Sequence, residues 1–197
     1  MALSWQWCLA PQAFQALPTG YADPFFLSKH ERLYKMKAKA PEKICIFVDV
    51  QNIYYTCREA YGRNFNYSAF WARVTDGNEL VGAYAYATDR GDEKQQQFQN
   101  ILRATGFTVL LKPLVKRADG STKADWDVGI ALDVYEAASE CDKVVLLSGD
   151  GDFAILLERI RQRFKTRSEV YSVFPLTAAA LITAASSYVP IEKGLLL

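Results

Sequence analysis

Histidine is almost absent from this chain, and its absence excludes several kinds of active site. The one histidine, His30, lies near the N terminus, so residues 43–197 contain no imidazole. A Ser-His-Asp triad, a two-histidine ribonuclease mechanism and a histidine-rich zinc site all require imidazoles that this part of the chain lacks. The sequence also contains no GxSxG nucleophile elbow and no GxxxxGK[ST] phosphate loop. The chemistry that remains is that of carboxylates.

The chain also has almost no net charge, no closely spaced cysteine pair and no long apolar run. The formal net charge is +1 over 197 residues, so bulk charge neither favours nor excludes nucleic acid as a partner. The four cysteines form no CxxC pair, which predicts a reducing, cytoplasmic location without a disulfide or zinc framework. No run reaches the roughly 20 apolar residues of a membrane helix. The first 28 residues contain no Lys or Arg, so we expect neither a secretory signal nor a membrane association.

The chain is predicted to consist of an extension, residues 1–42, and one domain, residues 43–197. The extension is rich in aromatic residues, and the stretch Ser28–Glu31 has the pattern of a capping box that opens a short helix. Met36 offers an alternative start. Because exposed aromatic side chains are typical of contact surfaces, we expect the extension to bind a second copy of the chain or another protein.

Strand and helix patterns alternate through the domain. Apolar runs at 44–49, 79–87, 107–115, 143–148 and 169–174 predict strands, and 188–191 predicts a last short strand. Helical patterns occupy 52–61, 68–75, 92–104, 126–139, 152–164 and 176–186, and residues 116–123 read as a polar loop. Repeated β-α units predict an α/β fold, in which a mainly parallel sheet lies between two layers of helices.

Four aspartates, Asp49, Asp127, Asp150 and Asp152, lie next to apolar segments of this pattern. Ligands of open α/β sheets collect outside the carboxyl ends of the strands. Carboxylates gathered there would raise each other's pKa unless a cation lay between them, so the pattern predicts a divalent-metal site. Each aspartate has a simpler interpretation as a turn residue or helix N-cap. The same holds for Asn52, whose amide could instead orient a carboxylate or a water.

Helical spacing separates Asp127 from the other acids of its segment. Asp127 begins an apolar stripe that continues through Ala131 and Val134, whereas Asp133 shares a face with Glu136 that we expect to be solvated. Three basic residues, Lys116, Arg117 and Lys123, flank the loop that leads into Asp127 and are candidates for phosphate contacts. Ser148 is a candidate to offer its hydroxyl to substrate.

Three segments resemble the NYN domain, the LabA-like branch of the PIN-like nucleases: FVDVQNI at 47–53, KADWDVGIALD at 123–133 and LSGDGDF at 147–153. The resemblance implies a three-layer α/β/α, Rossmann-like fold with a five-stranded parallel sheet. It also implies ribonuclease activity at an acidic pocket that binds one or two Mg²⁺ or Mn²⁺ ions. Asp49, Asn52, Asp127, Asp150 and Asp152 are the residues that match the family's site.

Two positions depart from the family's pattern. Ala124 replaces a glycine after Lys123, and Ser186 and Ser187 occupy a stretch where the family often carries an aspartate. The missing carboxylate predicts a weakened or reshaped site.

The functional hypothesis is metal-dependent hydrolysis of RNA, expected to be single-stranded. The alternative is a non-catalytic module that binds RNA or a protein partner through the same fold. DNA remains an open substrate, because carboxylates and metal ions do not distinguish sugars, whereas contacts to the 2′-hydroxyl do. A phosphohydrolase of the haloacid dehalogenase type would need Asp-x-Asp after the first strand, and Gln51 stands in place of its second aspartate.

Overall fold

The computed structural model describes residues 40–89, 91–113, 115–116, 122–123 and 126–197, with backbone only for 115–116 and 122–123. The chain divides into two compact units, Met1–Ala40 and Pro41–Leu197, and the fold described below is that of the second. The predictions about the extension, including its helix and Met36, lie outside the described residues.

A central sheet is formed by the apolar runs of the sequence. Its strands are β1 (Lys43–Asp49), β2 (Glu79–Asp89), β3 (Thr108–Pro113), β6 (Lys143–Leu147), β7 (Arg167–Ser172) and β8 (Ser187–Pro190), and a separate antiparallel pair comprises β4 (Val115–Lys116) and β5 (Thr122–Lys123). The helices are α1 (Val50–Tyr61), α2 (Tyr67–Thr75), α3 (Glu93–Thr105), α4 (Asp127–Ala137), α5 (Ala154–Phe164) and α6 (Ala179–Ala184). The strand order is β3-β2-β1-β6-β7-β8, and every neighbouring pair is parallel.

Helices cover both faces of the sheet, as the alternating pattern predicted. Side chains of β1 point to opposite faces in turn, with Ile44, Ile46 and Val48 in one apolar core and Cys45 and Phe47 in the other. The first core packs against α1, α2 and α3, and the second against α4, α5 and α6. Because both faces are covered, β1 is buried from end to end except at its first and last residues.

The strand order reverses beside β1, and this reversal creates the site. The chain adds β2 and β3 on one side of β1 and then returns to place β6 on the other side. Val48 near the end of β1 is paired with Leu147 at the end of β6, so both strands finish at the same edge of the sheet. In doubly wound folds the crevice at such a reversal is where ligands bind.

The sheet has six strands, and the expectation of five was therefore wrong. Ser187–Pro190 is short, but it lies parallel to β7 and pairs in register with Glu169–Ser172. The resemblance implied five strands, whereas the apolar run at 188–191 predicted this short strand, and its pairing with β7 confirms it. The predicted polar loop at 116–123 likewise contains the β4–β5 pair.

The predicted helix over 176–186 is interrupted. A single helical turn covers Phe174–Leu176, and α6 begins only at Ala179. Thr177 is held by a hydroxyl contact to Ser172 of 2.7 Å, and the backbone N–H of Ala178 donates to the Gly149 carbonyl at 3.0 Å. These contacts draw the chain towards the end of β6, and the helix cannot continue through them.

Ser186 and Ser187 occupy the stretch where the family often carries an aspartate, and the weakening or reshaping of the site by the missing carboxylate stays a prediction. They stand at the amino end of β8, and in a parallel sheet that end lies opposite the carboxyl ends of β1 and β6. Ser186 and Ser168 exchange two hydrogen bonds of 3.1 Å, in which the backbone N–H of each donates to the hydroxyl of the other. These bonds join the beginnings of β7 and β8.

Candidate metal centre

Asp49 ends β1 and starts α1. Its Oδ1 accepts a hydrogen bond of 3.1 Å from the backbone N–H of Asn52, so the simple interpretation of Asp49 as an N-cap is correct. The carboxyl group has a second property that a cap does not need. Burial, together with the negative charges of Asp127 and Asp150, raises its pKa to about 6, although the N–H groups of Asn52 and Gln51 act in the opposite direction. Asp49 is therefore a cap that also belongs to an acidic cluster.

Asp150 and Asp152 are presented by a tight turn after β6. The Asp150 Oδ1 accepts from the Asp152 backbone N–H at 3.0 Å, and the Ser148 Oγ accepts from the Asp150 N–H at 3.2 Å. These two bonds fix the backbone that carries both carboxylates. Ser148 is completely buried, so its expected contact with substrate is corrected to a role in holding the turn.

Gly149 and Gly151 are required by close packing. Neither has a positive φ angle, so the need for glycine is steric and does not come from the backbone conformation. A Cβ on Gly149 would lie 3.1 Å from the Leu176 carbonyl oxygen, and one on Gly151 would lie 2.9 Å from the Ala178 Cβ. Glycine thus lets the acidic turn rest directly on residues 176–178.

Asn52 connects the ends of β1 and β6. Its Oδ1 accepts a hydrogen bond of 2.9 Å from the backbone N–H of Gly149, across 97 residues of sequence. Because the Asn52 N–H simultaneously donates to Asp49, one residue ties the Asp49 carboxylate to the turn that carries Asp150. Asn52 is therefore a positioning residue for two of the predicted acids.

Asp127 is the first residue of α4, and aromatic contacts place that helix end at the same edge. The Trp126 indole N–H donates to the Ala87 carbonyl at 2.9 Å, and its ring packs edge-on against Tyr86 with centroids 5.3 Å apart. The Tyr86 hydroxyl donates to the Asp133 carboxylate at 2.6 Å. Asp133, expected on the solvated side, is thus half-buried against the carboxyl end of β2, where it anchors α4.

Three carboxylates meet in one group. One oxygen from each of Asp127, Asp150 and Asp152 lies within 4.8 Å of the others, a spacing that could hold a metal ion. Asp49 lies outside this triad but is close enough for Asp127 and Asp150 to raise its pKa. Among the described residues, the ion pairs do not include Asp49, Asp150 or Asp152.

The opposite edge of the sheet shows how this fold treats acids that have only a structural role. There Glu42 is buried and lies 2.8 Å from Arg167, and Glu169 lies 2.6 Å from Lys143. A cation thus accompanies each of these acids, as the cost of burying a lone charge requires. A triad of carboxylates with a raised-pKa neighbour fits a divalent cation, because hard oxygen donors are the ligands that such ions prefer.

The predicted phosphate contacts are only partly within the described residues. The backbones of Lys116 and Lys123 lie in β4 and β5, which pair across the residues before α4. Their side chains, and the whole of Arg117, lie outside the described residues. Among the described side chains, the Lys112 Nζ lies 5.4 Å from the centre of the ring of Trp126, the residue before α4.

The part of the chain that matches known proteins coincides with the folded unit described above. Residues 43–192 match the NYN domain. This chain belongs to the NYN domain family. It is 30% identical over 164 residues to the Low amplitude and bright protein LabA of Synechococcus elongatus, a match that covers 77% of this chain and 85% of LabA.

A protein with a solved crystal structure is also similar. The Vibrio parahaemolyticus protein of unknown function VPA0982 is 53% identical and superposes with a TM-score of 0.77. The match covers 81% of this chain and 98% of that one. NYN domains are generally nucleases of the PIN-like group, and the acidic edge of this NYN domain lies where such a site is expected. In the part of the chain that the structure describes, no helix is both long and apolar enough to cross a bilayer.

Several residues that build this NYN site were not found from the sequence. Tyr86 and Trp126 position α4, yet a tyrosine in a strand and a tryptophan before a helix are ordinary core residues by pattern. The position of Trp126 directly before Asp127 was the one available signal. Its hydrogen bond to Ala87 depends on the neighbouring strand and cannot be read from spacing.

Proposed function

We propose that this protein is a divalent-metal-dependent ribonuclease that hydrolyses phosphodiester bonds of single-stranded RNA. The observation that carries the proposal is the meeting of Asp127, Asp150 and Asp152 within 4.8 Å at the strand-order reversal of an NYN domain. The triad brings together acids from two separate segments, and Asp49 from a third lies close enough to feel their charge. Such acids have little structural reason to meet without a cation. The raised pKa of Asp49 supports the same conclusion.

The acidic side chains suit Mg²⁺ or Mn²⁺, and the site would hold one such ion or two. Asp49 and Asp150 would be direct ligands, while Asp127 and Asp152 would complete the coordination or hold water molecules. When bound, such an ion neutralises charge on the phosphate and lowers the pKa of water. The chain's own residues hold the geometry: Asn52 keeps Asp49 in register with the Gly149 turn, and Ser148 keeps the Asp150 backbone in place.

The basic residues before α4 complete the proposal. Lys123, with Lys116 and Arg117, would contact phosphates of the bound strand and so position it over the acids. We assign RNA as the substrate class on the strength of the NYN family, whose nucleases are expected to act on RNA.

The test is cleavage of single-stranded RNA in the presence of Mn²⁺ by the wild type and by Asp150→Asn. The variant keeps the size of the side chain and an acceptor oxygen for the Asp152 N–H, but it removes one ligand charge. Asp92→Asn is the matched control, because Asp92 is an exposed N-cap outside the acidic triad. Loss of cleavage in Asp150→Asn alone is expected, and equal activity in all three proteins would refute the assignment. Metal-independent RNA binding without turnover would favour the non-catalytic module.

A further inference from the structure

Exposed aromatic rings lie on the helix that begins at the acidic site. Tyr54 and Tyr55 are each 50% exposed, and Phe174 is 61% exposed, which makes these three the most exposed aromatic side chains among the described residues. Tyr61 and Tyr135 follow at 38%. The Tyr61 hydroxyl donates to the Ile191 carbonyl, and the Tyr135 ring packs on the Phe164 ring. Aromatic rings normally bury most of their surface, so rings left half in solvent beside an active site invite a functional explanation.

The position of α1 places Tyr55 near the acids, and Tyr54 packs against Tyr55 from the neighbouring face of the helix. Tyr55 lies three residues after Asn52, on the next turn of the same side of the helix. Asn52 itself contacts the Gly149 turn. Tyr55 is six residues after Asp49, or about 9 Å along the helix axis, and helical side chains lean towards the N terminus of their helix. The ring of Tyr55 therefore covers the turn of α1 nearest to the site.

The two tyrosine rings support each other. Their centroids are 5.3 Å apart and their planes cross at 74°, an edge-to-face arrangement. Such pairs are favourable beyond their buried area. A supported ring has less conformational freedom to lose when a flat ligand stacks on it.

The ligand that fits a half-exposed ring beside a phosphodiester-cleaving site is a nucleobase. We propose that Tyr54 and Tyr55 form a stacking platform for an unpaired base of the strand that is bound at the acids. This inference rests on the proposed function. The axial distance of about 9 Å corresponds to fewer than three stacked nucleotides at about 3.4 Å each, so the stacked base belongs to a nucleotide close to the scissile phosphate. Bases within a duplex are already stacked, so the platform selects single-stranded RNA.

Binding is measured apart from cleavage, in the Asp150→Asn background with Mg²⁺. The probe is a short single-stranded RNA that carries 2-aminopurine, whose fluorescence is quenched on stacking. We expect Tyr54→Ala/Tyr55→Ala to weaken binding by about 5- to 150-fold and to abolish the quenching. Tyr54→Phe/Tyr55→Phe keeps both rings and should bind within about 2-fold of the parent. Tyr54→Leu/Tyr55→Leu keeps apolar bulk without a flat ring, and should behave like the alanine pair.

Tyr61→Ala is the matched control, because it removes a tyrosine from the same helix about 18 Å along its axis from Asp49. Its binding and quenching should be unchanged. Unchanged binding in the alanine and leucine pairs, with melting temperatures equal to that of the parent, would overturn the platform. The platform would also be overturned if the alanine pair weakened binding of a perfect duplex of the probe as much as it weakened binding of the single strand.

Cleavage by the wild type, measured with Mn²⁺, separates this inference from the function on which it rests. Cleavage by the wild type together with unaltered binding of the alanine pair leaves the nuclease standing and removes the platform. Absence of cleavage together with ring-dependent quenching removes the nuclease and retains the platform as an RNA-binding surface.

Discussion

Asp49→Asn should stabilise the metal-free protein while it weakens metal binding. In the wild type, burial and two neighbouring carboxylates raise the pKa of Asp49 from 3.8 to about 6. The charged form is therefore disfavoured in the folded state. Asparagine removes the charge, keeps an acceptor oxygen for the Asn52 N–H, and caps helices about as well as aspartate.

The magnitude follows from the pKa. A rise from 3.8 to about 6 corresponds to roughly 3 kcal/mol at about 1.4 kcal/mol for each pKa unit. Relaxation around the new side chain will reduce this gain, so we expect the free energy of unfolding to rise by about 1–3 kcal/mol at pH 7.5. For a unit of this size, the melting temperature should rise by about 2–12 °C.

The effect has a defined pH dependence. Because the folded-state pKa exceeds the unfolded-state value, the folded wild type binds more protons than the unfolded chain between pH 3.8 and about 6. Wild-type stability therefore falls as the pH rises through this interval. The variant lacks this loss, so the two proteins should be equally stable below about pH 4, diverge up to about pH 6 and differ by a constant amount above it.

The assay is thermal and urea unfolding in EDTA from pH 4 to pH 8, with Asp92→Asn as control. Asp92 also caps a helix, accepting from the Gln95 N–H at 2.8 Å, but it is exposed. The free energy of unfolding of Asp92→Asn should stay within about 0.5 kcal/mol of the wild-type value at every pH. A less stable Asp49→Asn protein at pH 7.5, or a difference that does not change between pH 4 and pH 7, would refute the reasoning. Added Mn²⁺ should make the wild type more stable than Asp49→Asn, since only the wild type retains the full set of ligands.

Three further results are expected. Mn²⁺ or Mg²⁺ at about 100 times its dissociation constant should stabilise the wild type by about 2.7 kcal/mol, seen as a higher melting temperature that EDTA abolishes; an unchanged melting temperature would contradict a metal site. Asn52→Ala leaves the buried Gly149 N–H without its acceptor, so stability should fall by about 1–3 kcal/mol and RNA cleavage by about 100-fold, and a fully active variant would exclude the positioning role. Gly151→Ala places a Cβ 2.9 Å from the Ala178 Cβ and should cost about 1–3 kcal/mol, with Gly151→Ala/Ala178→Gly recovering stability if that contact is the cause.

The acidic turn shows how far local sequence carries a site prediction. A buried run that ends in Ser-Gly-Asp-Gly-Asp predicts a strand followed by a turn that carries two carboxylates, and the structure has both, with Asp150 half-buried and Asp152 exposed. The same pattern could not reveal that Ser148 is buried or that the glycines serve packing. Both depend on residues 176–178, which reach the turn from a different part of the chain.

Asp133 and β8 show the same limit from the other side. Helical spacing placed Asp133 on a polar face, but spacing reports only which residues share a side, and a neighbouring strand supplies the Tyr86 hydroxyl. The apolar run at 188–191 predicted the short strand β8, but only its pairing with β7 gives its neighbour and its register. Contacts between segments distant in sequence leave little trace in local composition.

The sequence by itself determined where most strands and helices lie, which residues of each share a side, and that carboxylates stand at the ends of apolar runs, because these properties follow from side-chain periodicity and local backbone preference. The tertiary structure alone decided that Asp127, Asp150 and Asp152 meet within 4.8 Å and that Asp49 ionises with difficulty beside them. Strand order, helix packing and burial set those distances, and they are properties of the whole fold that no single segment encodes.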